Sequence, residues 1–184
     1  MFPGTYAQRT PDKAAYVMGG TGQTISYREL DDDANRLSQL MRATGLEVGR
    51  HMAFCLENHP IFYKVAWGAH YAGLYYTAMS SRLTAEEAAY IVNDCGAEVF
   101  ITSAHKRDAA EALVDKTQKV KLRLMADGTV EGYESFEEIV SRYPAEPLPE
   151  PRIAGRDMLY SSGTTGRPKG VKLSLIHISE PTRP

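Results

Sequence analysis

The chain has 184 residues, 43% of them hydrophobic and 24% charged, the make-up of an ordinary globular domain with a packed core. Its 21 basic and 23 acidic residues leave a formal charge of -2, which excludes a protein held to nucleic acid or to a membrane surface by bulk positive charge. No apolar run reaches the roughly 20 residues of a membrane span, and the longest candidate, residues 61–78, is interrupted by Lys64, His70 and two glycines.

Cys55 and Cys95 sit among apolar neighbours with no CxxC pairing, so each reads as a small buried hydrophobe rather than part of a disulfide or metal framework. The first residues carry neither the basic region nor the apolar core of a secretory signal, and a cytoplasmic location is expected. Residues 14–18 and 23–25 predict a hairpin turning through Gly19, Gly20, Thr21 and Gly22. No helix follows these glycines as a dinucleotide fingerprint requires. Ser26 and Glu29 form the S/T-x-x-E capping pattern, and Leu30, Ala34, Leu37 and Met41 then recur on one helical face. Asp31, Asp32 and Asp33 suit the positive end of that helix. A metal site is the other reading of such a run, but no second ligand cluster accompanies it.

A strand at 51–56 comes next, followed by a helix over Pro60 to Ala72. That helix is apolar nearly all round, which predicts burial between layers with Trp67 in the core. Strands at 74–78, 97–102 and 121–125 alternate with helices at 85–94 and 105–117. Two more capping patterns, Thr84 with Glu87 and Ser135 with Glu138, open helices, and Gly73 and Gly96 fall at helix C-caps. This alternation predicts an α/β layered domain with a largely parallel sheet and flanking helices. Pro144, Pro147, Pro149 and Pro151 mark an extended surface linker over 143–156. His51, His59, His70, His105 and His177 do not pair at ligand spacing, no HExxH occurs, and no metal ligands are expected. Ser161 and Ser162 lie outside any G-x-S-x-G elbow.

The most informative stretch is YSSGTTGRPKGV, residues 160–171. Gly163, Gly166 and Gly170 let the main chain approach a ligand closely, and successive N–H groups there form an anion-binding concavity. Ser161, Ser162, Thr164 and Thr165 add hydroxyl donors, Lys169 and Arg167 add charge, and Pro168 stiffens the turn. The Walker A spacing is not met. Because residues 171–173 read as a strand, the loop is expected to join two strands. A bare hairpin without ligand is the competing reading of the composition.

The order of residues in this stretch resembles the phosphate loop of the AMP-forming adenylating superfamily. That group includes acyl-CoA synthetases, the adenylation domains of peptide synthetases and firefly-type luciferases. The resemblance extends upstream to residues 7–15, 25–30, 71–79 and 83–92, and so covers nearly all of 1–173. The last two blocks are more similar to fatty-acyl-CoA synthetases than to peptide-synthetase domains. The resemblance implies a two-step reaction, in which a carboxylate attacks the α-phosphorus of ATP and the thiol of coenzyme A then displaces AMP. It implies that Thr164, Thr165 and Lys169 grip the β- and γ-phosphates, that Ser161, Ser162, Gly163 and Gly166 shape the cradle, and that Mg2+ rides on the phosphates. No catalytic residue is assigned. The superfamily's adenine-stacking aromatic, magnesium-binding glutamate, ribose-binding aspartate and C-terminal-domain lysine have no match here, so the 184 residues are expected to be inactive alone. A noncatalytic phosphate-binding remnant, or an enzyme using another thiol or amine acceptor, are the alternatives. Residues 174–184 depart from the superfamily pattern and read as a non-native tail.

Overall fold

The computed structural model describes residues 2–161 and 168–172. Helix α1 (Pro3–Arg9) precedes an antiparallel hairpin of β1 (Ala14–Val17) and β2 (Thr24–Ser26). The chain continues through α2 (Tyr27–Ala43), β3 (His51–Cys55), α3 (Phe62–Tyr71), β4 (Tyr75–Met79), α4 (Ala85–Cys95) and β5 (Val99–Ser103). After a single 3-10 turn come α5 (Arg107–Val114), β6 (Leu122–Ala126), β7 (Glu134–Ser135), α6 (Phe136–Ser141), β8 (Arg156–Ser161) and β9 (Lys169–Lys172).

Local chemistry sets the element ends. The Ser26 and Thr84 side chains each accept the N–H three residues on, and Glu29 and Glu87 reach back to the cap N–H, so both boxes are complete. The third is half made: Ser135 accepts the Glu138 N–H, but its hydroxyl donates to Glu137 at 3.2 Å and Glu138 does not return. Gly73 and Gly96 close α3 and α4 with φ of 74° and 68°, the left-handed region a side chain disfavours. Each carries the paired bonds of a Schellman cap, Leu74 N–H to Ala69 O with Gly73 N–H to His70 O, and Ala97 N–H to Val92 O with Gly96 N–H to Asn93 O.

Seven strands form one sheet in the order β7-β6-β5-β3-β4-β8-β9, every neighbouring pair parallel except β8 and β9. Alternation along the strands separates two cores. Met52, Phe54, Val99, Ile101, Leu124 and Ala126 face α2, α3 and α6. Ala53, Cys55, Phe100 and Met125 face α4 and α5. The layered α/β architecture with a largely parallel sheet and flanking helices, expected from the alternation of elements, is therefore what forms, with helices on both faces.

Two details depart from the sequence reading. Helix α3 is covered by the sheet on one side and by α1 and α2 over part of the other. Trp67 therefore ends half-buried in an aromatic cluster with Phe2, His70 and Tyr71 rather than in the core, and Tyr63 is exposed. The proline-rich stretch before β8 is more than a surface linker: Leu148 is buried in the α2/α3/α6 core, and Gly155 lies against the turn from α3 into β4. Among the described residues no helix is long and apolar enough to cross a membrane.

Candidate functional site

The carboxyl ends of β3, β4, β5, β6 and β8 share one edge of the sheet, the edge where ligands sit in open α/β folds. At that edge β8 turns back into β9, so the glycine- and hydroxyl-rich loop joins two antiparallel strands, as its sequence predicts. Ser161 ends β8, Lys169 opens β9, and the two are cross-strand partners with exposed side chains. Ser162, Gly163, Thr164, Thr165 and Gly166 lie outside the described residues, as does the tail from residue 173.

What fixes this hairpin was not foreseen from sequence. Its first half is tied to the sheet where β8 pairs with β4, Arg156 opposite Tyr75, and where the Thr77 hydroxyl donates to Met158 O at 3.1 Å. Helix α4 holds the rest. The Tyr160 hydroxyl donates to Asp94 Oδ2 at 2.5 Å, and the Tyr90 hydroxyl donates to Pro168 O at 3.2 Å, next to Lys169. Tyr90 and Asp94 are four residues apart and share a face of α4. That i,i+4 spacing was the available signal, but nothing in the sequence named the opposite partner.

Burial first, and then the Asp94 carboxylate, push the Tyr160 hydroxyl far above the ordinary phenol range, so it stays a proton donor. Gly170 is cross-strand from Tyr160. A β-carbon there would meet Met158 Cε at 2.4 Å and Tyr160 Cζ at 3.0 Å. The last glycine of the motif therefore makes room for the tyrosine that anchors the loop. At the far end of β9, Lys172 lies over the Tyr75 ring, 4.2 Å from its centroid.

A glycine-and-hydroxyl loop held at both roots, at the carboxyl edge of a parallel sheet, sits beside a family profile described as AMP-binding enzyme that matches residues 5–179. The chain belongs to the AMP-binding enzyme family. Among curated relatives it is 30% identical over 169 residues to the long-chain-fatty-acid–CoA ligase FadD13 of Mycobacterium tuberculosis, covering 88% of this chain and 32% of that protein. It is 31% identical over 163 residues to a crotonobetaine/carnitine–CoA ligase of Escherichia coli, covering 85% and 32%. Among solved structures, a Mycobacterium tuberculosis fatty acyl CoA synthetase matches with a TM-score of 0.79 at 26% identity, over 94% of this chain and 34% of that one. The N-terminal domain of FACL13 from the same organism matches with a TM-score of 0.79 at 27% identity, over 92% and 42%. The chain thus spans about a third of the length of the curated relatives it matches.

Proposed function

We propose that this AMP-binding family chain is the N-terminal part, residues 1–173, of an AMP-forming acid–thiol ligase. The reaction is activation of a carboxylic acid, a fatty acid in our reading, by ATP to an acyl-adenylate, followed by transfer to coenzyme A in the cytoplasm. The observation that carries this reading is the 160–171 stretch, hung between two strands at the carboxyl edge of the sheet in a chain of this family. The ligase names of the relatives support the reaction class.

The difficulty of the first step is electrostatic. One anion attacks another, and charge grows on the departing pyrophosphate. Fixed donors aimed at that charge lower the barrier, each by about 3 kcal/mol in a water-excluded site. In our reading Lys169 and the hydroxyls of Thr164 and Thr165 take the β- and γ-phosphates, while Ser161, Ser162, Gly163 and Gly166 shape the cradle. The exposed pair of Ser161 and Lys169 at the loop's roots is consistent with that role. Mg2+ would accompany the phosphates, but among the described residues no group of three His, Cys, Asp or Glu side chains could hold it, and no step is assigned to it. Residues 174–184 we take as a non-native tail.

Because the chain spans about a third of its relatives, the expected behaviour of the 184 residues is ATP binding without turnover. Calorimetric titration with ATP, paired with pyrophosphate–ATP exchange over a panel of carboxylates, tests this. The Lys169-dependent ATP site should be lost in Lys169→Ala, leaving at most weaker binding elsewhere, and exchange should be absent. Carboxylate-dependent exchange by the purified chain would overturn the inactivity, and ATP binding indifferent to Lys169→Ala would overturn the role of the loop.

A further inference from the structure

At the opposite edge of the sheet, below the amino ends of β3, β5 and β6, lies an open cleft of about 710 Å3. Arg50, Lys119, Lys121 and Lys172 line it, and Glu98 is the one carboxylate lining it among the described residues. The Glu98 side chain is 7% exposed and is held by the Arg50 guanidinium and by Lys121 Nζ at 2.6 Å. Burial alone would raise its pKa, but the bonds from Lys121 and Arg50 outweigh that and hold the carboxyl below its ordinary range. Four cations against one charged carboxylate leave an excess of three positive charges. The carbonyl end of α4 at Gly96 contributes the equivalent of only about half a negative charge, too little to balance them. Lys119 has no ion-pair partner among the described residues.

His51 reports the same field. Its ring stacks on Tyr75 with centroids 4.9 Å apart, and Nε2 accepts from Lys172 Nζ at 3.0 Å. The neutral ring's proton is therefore on Nδ1, a buried atom with no acceptor among the described residues. Burial first, then the charges of Lys172 and Arg50, push the imidazole down to about 4. A surplus of cations beside an imidazole held neutral is a field that a bound anion would relieve.

We propose that this cleft is a second anion site, separate from the 161–169 loop, that binds a small phosphate-bearing molecule through Arg50, Lys119, Lys121 and Lys172. Its volume is that of a small-molecule site. The two sites share β9 but not its face: Lys169 and Lys172 stand at opposite ends of the strand, three residues apart, so their side chains leave on opposite sides.

The test is calorimetric titration of the 184-residue chain with inorganic pyrophosphate, with ADP as a second arm to separate free from nucleotide-borne phosphate. Lys169→Ala removes the loop's cation, and a site remaining in that variant is assigned to the cleft by its sensitivity to Lys119→Glu. One pyrophosphate site should survive Lys169→Ala, weaken as salt is added, and weaken by about tenfold more when Lys119→Glu is added. No binding in Lys169→Ala, or binding unchanged by Lys119→Glu, overturns the proposal. The His51 imidazole nitrogen resonances give an independent readout in the unsubstituted chain. They should shift on titration, and the His51 pKa should rise as the anion cancels the field. A His51 unmoved at saturating pyrophosphate refutes the site even if the variants fail to fold.

Discussion

Gly155→Ala should damage this protein far more than its place in a proline-rich surface stretch suggests. A β-carbon at Gly155 would sit 2.3 Å from Leu74 O, 2.8 Å from Ala69 O and 2.8 Å from Leu74 N. All three are backbone atoms at the cap where α3 passes into β4, so no side chain can move aside. The stretch must lift instead. Lifting it breaks Gly155 N–H to His70 O at 2.8 Å and Arg156 N–H to Leu74 O at 2.9 Å, the bonds that start β8 alongside β4. Overpacking costs about 1–3 kcal/mol and each hydrogen bond about 1 kcal/mol, so the loss should be on the order of 3–5 kcal/mol. With a urea slope of roughly 2 kcal/mol per molar, the midpoint should fall by roughly 2 M. Gly20→Ala is the control, since a β-carbon there meets nothing within 4 Å. Equilibrium urea unfolding followed by circular dichroism measures both. A Gly155→Ala midpoint equal to that of Gly20→Ala would refute the steric argument. ATP affinity should fall together with stability, because β8 carries Ser161 to the loop.

Tyr160→Phe deletes the bond to Asp94 while keeping the ring over Gly170. We expect a stability loss of about 1 kcal/mol, typical of one partly exposed hydrogen bond, with a larger proportional loss of ATP affinity by calorimetry. An affinity equal to that of the parent chain would show that the anchor does not set the loop. His51 titrates from an ordinary 6.5 down to about 4 in the folded chain, so between those values the unfolded chain binds the extra proton. Stability should therefore decline as pH falls from 6.5 toward 4, and His51→Gln should flatten that part of a thermal-melt pH series. Burial raises the thiols of Cys55 and Cys95, which are free and buried, so a disulfide exchange reagent should label neither until urea unfolds the chain.

The elements that were legible in sequence were those fixed by short-range chemistry. Ser26 with Glu29 and Thr84 with Glu87 marked helix starts because the box closes within one turn, and Gly73 and Gly96 marked ends because the left-handed cap is a local demand. Strand-helix alternation at regular spacing then carried the layered, parallel architecture. Ser135 with Glu138 has the same pattern, but Glu137 takes the serine hydroxyl, a competition the four-residue motif cannot express. The roles of Gly155, Tyr90 and Asp94 were hidden for a different reason. Each depends on a partner distant in the chain, across 66 residues for Asp94 and Tyr160 and 78 for Tyr90 and Pro168. Trp67 was misplaced because a helix apolar all round does not reveal which of its sides lacks a covering layer.

The hairpin that carries the phosphate loop has two unlike faces, and the difference bears on where a ligand can enter. Met158, Tyr160, Gly170 and Lys172 share one face, and that face is docked on α4, Tyr75 and the α4/α5 core. On the other face Leu159 and Val171 are cross-strand partners, 59% and 53% exposed, and beyond them stand Ser161 and Lys169, also paired and exposed. A donor set is useful only if it is both held still and open to its ligand. Anchoring through alternate residues meets both needs at once, because strand periodicity sends every second side chain away from the docked face. Lys169 thus lies one residue from two separate restraints, the Tyr90 bond to Pro168 and the Tyr160 ring over Gly170, while its own ammonium stays in solvent. Removing either restraint should loosen the lysine without removing its charge, which separates positioning from charge in a way that Lys169→Ala cannot. Tyr90→Phe should therefore weaken ATP binding less than Lys169→Ala and leave the chain folded. Equal losses in the two variants would mean that holding the loop matters as much as the cation it carries.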